Sequence, residues 1–79
     1  MKNIYRITWK DSCSDSAWRT EKDAKEWAEK EYETYCVSIG WILLETKDYI
    51  VTAASWNGGD EWGELTVILK NTIVKKEKL

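Results

Sequence analysis

The chain has no histidine, no phenylalanine and no proline, only two cysteines and four glycines. Without histidine, the side chain that most readily exchanges a proton near neutral pH is missing. Acid–base catalysis would then rest on carboxylates held in a dry pocket. No such set is visible, so the sequence reads as non-enzymatic, with no catalytic residue, metal or cofactor assigned. Two cysteines, Cys13 and Cys36, are too few for a small secreted scaffold held by disulfides. Met1-Lys2-Asn3 leads directly into a strand pattern rather than an apolar leader, which sets the expectation of a cytoplasmic protein with two reduced thiols. The longest apolar runs, such as 40–44, fall far short of the roughly 20 residues a membrane helix needs. No membrane association is expected.

Arginine is also scarce, with Arg6 and Arg19 the only two. The net charge of −2 is unevenly spread: residues 21–64 hold eleven acids against four lysines, and both ends are basic. Nucleic-acid affinity comes largely from lysine and arginine displacing counterions. An acidic middle therefore argues against a nucleic-acid partner.

What the chain does have is indole. Six tryptophans and four tyrosines are spread over 79 residues. A domain this short buries a small fraction of its surface, and each of these rings offers roughly 150–250 Å² to bury. With phenylalanine absent, every ring carries an N–H or O–H that seeks a partner, which favours rings at the margin of a core or in a groove.

The pattern predicts a single domain over 1–79. Residues 3–9 alternate as a first strand, with Tyr5, Ile7 and Trp9 on one face. The polar stretch 10–17 reads as a loop. Thr20 is placed as an N-cap, with Asp23 three residues on, for a helix over 21–33. Its stripe of Ala24, Trp27, Ala28 and Tyr32 predicts packing against the sheet. The period then changes to two. Tyr35, Val37, Ile39, Trp41 and Leu43 point one way, and Gly40 marks a bend or bulge. A turn at 45–48 leads to a third strand at 49–54. The segment 56–64, WNGGDEWGE, reads as a loop before a fourth strand at 65–69, and a short fifth strand at 73–74 precedes a frayed tail at 75–79. The fold class is thus α+β: a small five-stranded antiparallel sheet or partly open SH3-like barrel, with one helix inserted between strands 1 and 2. An open meander with the helix across one face is the alternative.

Trp9-Lys10-Asp11-Ser12, Ser38-Ile39-Gly40-Trp41-Ile42-Leu43-Leu44-Glu45, Asp48-Tyr49-Ile50-Val51-Thr52-Ala53-Ala54-Ser55 and Ile68-Leu69-Lys70 together resemble short proteins encoded by bacteriophages and prophages. Those proteins commonly carry proline where this chain has Leu69. The resemblance implies a source and a size class rather than an activity, and with it a host or phage protein as partner.

Candidate sites are few. The loop 11–16 is rich in serine and aspartate, but nothing near Cys13 would lower its pKa, and the acids do not follow the spacing of a calcium loop. Trp9, Trp27 and Trp41 lie on the apolar faces of their elements and are assigned to the core. Trp18, Trp56 and Trp62 do not, and tryptophan left at a surface is enriched among interface hot spots. The expected binding residues are therefore Trp18, Trp56 and Trp62 with Asp60 and Glu61, holding a protein or a small ligand. Two alternatives are a homo-oligomer formed through an uncapped strand edge or the apolar side of strand two, and a sponge for a signalling nucleotide built on Arg6, Arg19 and nearby lysines.

Overall fold

The computed structural model describes residues 2–12 and 14–79. Cys13 lies outside the described residues, and with it the expectations about its thiol and its pairing. Five strands form one antiparallel open sheet in the order β4-β3-β2-β1-β5. They are β1 (Ile4–Trp9), β2 (Cys36–Glu45), β3 (Tyr49–Trp56), β4 (Trp62–Leu69) and β5 (Ile73–Lys78). Among the described residues one helix, α1 (Glu21–Tyr32), joins β1 to β2, and a 3-10 turn at Lys70–Thr72 precedes β5.

Strand β2 is the centre of the sheet and divides its length between two neighbours. Its first part, through Trp41, pairs with β1, and from Trp41 onward it pairs with β3. The change of partner happens at Trp41, next to Gly40, where a Cβ would lie 2.3 Å from the carbonyl oxygen of Ala53. Only glycine lets the two backbones approach that closely. The expected bulge falls elsewhere, where the β2–β3 register shifts between Ile42 and Leu44.

Ile7, Ile50 and Ile68 are fully buried and form the core, with Tyr5, Trp9, Ile42 and Ile73 packed around them. The expected face of β1 is therefore the inner one. In β2 the outcome is the reverse of its composition. Ser38 and Gly40 stand opposite Ile7 and Tyr5, while Val37 and Ile39 are more than half exposed. Ser38 belongs inside because its hydroxyl accepts the Trp9 indole N–H at 3.0 Å, which satisfies a ring that would otherwise be buried unpaired.

The helix begins where expected, with the Thr20 hydroxyl accepting the Asp23 N–H at 3.2 Å. It does not pack on the sheet. None of its residues is buried, and Tyr32 is 73% exposed. The molecule is 53 Å long, and its radius of gyration of 16.1 Å exceeds the about 12 Å of a compact chain this size. A free helix of this length is marginal in water. Here the carbonyls at and just past its C-terminus are gathered by Lys10, whose ammonium donates to Glu31 at 2.6 Å and to Tyr32 and Thr34. The same ammonium sits 5.2 Å from the Tyr32 ring and 5.1 Å from the Tyr35 ring. Opposite charge meets the negative helix end at the point where the insertion leaves the sheet.

The fifth strand is longer than its apolar residues suggest. Residues 75–78, expected to fray, pair with Tyr5–Thr8. Arg6 clasps its register partner Glu77 with two parallel bonds of 3.1 and 3.0 Å. Lys76 lies over the Tyr5 ring and reaches Glu45 at 3.4 Å, while Lys70 reaches Glu45 at 2.9 Å. These lysines, Lys70 first, hold the Glu45 carboxyl below its ordinary value of 4.5.

Two predictions follow from this packing. Gly40→Ala forces the Ala53 carbonyl to move and should destabilise the fold by about 1–3 kcal/mol, the usual cost of overpacking, read from urea denaturation. A carboxyl depressed in the folded state contributes stability that is complete above its unfolded value and lost as pH falls through the folded one. The melting temperature should therefore drop below about pH 4.5, and Glu45→Gln should flatten that slope; an unchanged slope would remove Glu45 from the account.

Candidate functional site

The segment 56–64 is a loop only at its centre, because both of its ends belong to strands. Trp56 and Trp62 face each other across the β3–β4 ladder as the last paired residues, which leaves only 57–61 as the connection. Gly58 takes the left-handed backbone, at φ 87°, that a side chain would resist. The Asn57 carboxamide oxygen accepts the N–H groups of Gly59 at 2.8 Å and Glu61 at 3.3 Å. Its amide nitrogen donates to the Glu61 carboxylate at 3.3 Å. The turn is therefore built around Asn57, a role legible in the Asn-Gly-Gly sequence.

This ordered turn holds the indoles in place. The Trp56 and Trp62 rings stack with centroids 5.1 Å apart and 11° between planes. Trp41 meets both edge-on, at 6.2 Å and 5.3 Å. The Trp56 N–H donates to the Gly59 carbonyl at 2.8 Å, so its polar edge is satisfied within the turn. Trp56 remains 41% exposed. An open hollow of about 380 Å³ lies here, lined by Ser55, Trp56, Asn57, Glu61, Trp62 and Gly63. Glu61 on its lining and the adjacent Asp60 are both exposed.

Of the five expected residues, four thus converge on one hairpin end. Trp18 does not join them. It is fully exposed, at 102%, in the segment before α1, and at that exposure it touches neither Trp56 nor Trp62. Trp41, assigned to the core, is instead the third member of the cluster. Its alternation within β2 pointed to an apolar face, and nothing local in the sequence shows that Trp41 meets rings more than a dozen residues away. Trp9 does flank the core, whereas Trp27 sits on the projecting helix beside the Asp15–Arg19 segment.

The other charged groups are dispersed. Arg6 is engaged by Glu77 and Arg19 by Asp15, in separate parts of the molecule. The Arg19 guanidinium, followed by the Ala17 N–H, holds the Asp15 carboxyl below its usual range. The two guanidinium groups do not meet in one pocket. Among the described residues no group of three acidic, cysteine or histidine side chains is arranged to hold a metal ion, and no helix is long and apolar enough to cross a membrane. No protein family, curated protein or solved structure matches the chain.

The indoles separate into two energetic kinds. Trp62 is partly buried and contacts two other rings, each such pair being worth about 0.5–1.5 kcal/mol beyond area. Trp62→Ala should therefore cost about 1–3 kcal/mol in urea denaturation, whereas Trp18→Ala should stay within about 0.5 kcal/mol of the parent.

Proposed function

We propose that this chain is a small non-enzymatic binding module of SH3-like architecture that holds a cationic segment of a protein, or a cationic small ligand, against its exposed indoles. The architecture is supported by the strand order, by β2 dividing itself between two halves of the sheet, and by the short 3-10 turn entering the last strand. The observation that carries the functional reading is the hydrogen-bonded hairpin end that keeps the Trp56–Trp62 stack rigid, half-wet and next to two carboxylates. An indole face attracts cations, and Asp60 and Glu61 add a matching field. A rigid aromatic loses little entropy when it is covered, which is why such rings anchor interfaces. No bond is made or broken; the module acts by occupancy. The resemblance to phage proteins favours a host or phage protein as partner.

The test uses a lysine- and arginine-rich peptide beside an uncharged peptide of equal length. The basic peptide should perturb indole fluorescence, more weakly at high salt, and Trp56→Ala should weaken it at least about tenfold. Equal responses to both peptides, or none at millimolar concentration, would sink this reading.

A further inference from the structure

The two edges of the sheet are unlike each other. The β5 edge carries Lys75, Lys76 and Lys78, the kind of charge that discourages another strand from pairing there. The β4 edge has no such guard: Leu65-Thr66-Val67-Ile68-Leu69 contains no charged residue, and β4 pairs only with β3. The Lys70 N–H donates to the Asp48 carbonyl at 2.9 Å, in step with the Ile50↔Ile68 pair. By the alternation of an antiparallel ladder, the main-chain groups of Leu65, Val67 and Leu69 then point away from β3. The side chains of those three residues are 54–60% exposed. They continue an apolar outer face through Val51 to Leu44 by register, and the positions of β2, β3 and β4 on that face hold no charge.

We infer that the β4 edge is a self-association site, where β4 of a second copy pairs antiparallel about a two-fold axis at Val67. Register selects both the occupant and the axis. Centred on Val67, the pairing sets Leu65 opposite Leu69 of the second copy and Val67 opposite itself. It also brings Glu64 level with Lys70, the first residue after β4, whose ammonium lies on Glu45 of its own copy. Centring on Thr66 instead places Gly63 against Leu69 and Trp62 against Lys70. Centring on Ile68 places Leu65 against Asn71 and Thr66 against Lys70. On the outer face only the Val67 axis pairs Leu65, Val67 and Leu69 entirely among themselves. Glu64, with φ 54°, breaks the extended backbone and ends the pairing there. An uncharged face approaching its own copy meets no like-charge repulsion. The assembly is an isologous dimer with a continuous sheet across both copies, and it stands independently of the indole site.

The test is sedimentation together with cysteine cross-linking, in a chain with Cys13→Ser and Cys36→Ser. Sedimentation should show a concentration-dependent dimer that Val67→Lys converts to monomer with an unchanged circular dichroism spectrum. Under mild oxidation Val67→Cys should link to itself, since directly opposed residues lie within disulfide reach. Leu65→Cys and Leu69→Cys chains should link only when mixed, and the equally exposed Val37→Cys should stay monomeric. A monomer throughout the micromolar range overturns the inference. So does a dimer in which Val67→Cys fails to link, or in which Leu65→Cys links to itself.

Discussion

The backbone contact between Gly40 and the carbonyl of Ala53 governs the rest of the molecule. Strand β2 must serve β1 and β3 in turn, and it can hand over only where its backbone presses against β3. Both parts of β2 face the same core, in which Ile7 of β1 meets Ile50 of β3 and Ile68 of β4. Trp41, paired to both Ile4 and Ala53, stands at the handover. Its ring is thereby delivered to the Trp56–Trp62 stack, so the constraint that shapes the sheet also assembles the aromatic cluster.

The core itself is small. Ile7, Ile50 and Ile68 are its only large, fully buried side chains among the described residues, as expected where surface outweighs volume. Half-buried rings make up the difference, and their polar edges find partners at once: Trp9 on Ser38 and Trp56 on Gly59. A ring with an N–H is suited to this margin because one edge can bond while the face packs or stays wet. Charge does similar work at the periphery. The basic C-terminal strand, which has few apolar residues, is held by Arg6–Glu77 and by Lys76 on Glu45. Lys10 fastens the helix the sheet does not cover.

Most of the elements were legible because they rest on local rules. The Thr20 cap, the Ile4–Trp9 alternation and the Asn57 turn each involve residues a few positions apart. The misreadings share one cause. The extent of β5, the inner placement of Ser38 and the cluster around Trp41 all depend on partners distant in the chain. Residues 75–78 look like a charged tail until Arg6 is placed beside Glu77. The helix stripe looks like a packing face, but the insertion leaves β1 and re-enters β2 at one end of the sheet, and Lys10 holds it there pointing outward.

Composition and periodicity by themselves determined most element types, their order and the surplus of surface indole, because those follow from backbone preference and from the ratio of aromatic area to chain length; the role of Gly40 came from its tertiary contact with Ala53. Tertiary structure alone decided which indoles meet, which face of β2 is dry and which sheet edge lies open. Those outcomes depend on strand register. A shift of one residue would exchange the two faces without altering any local preference.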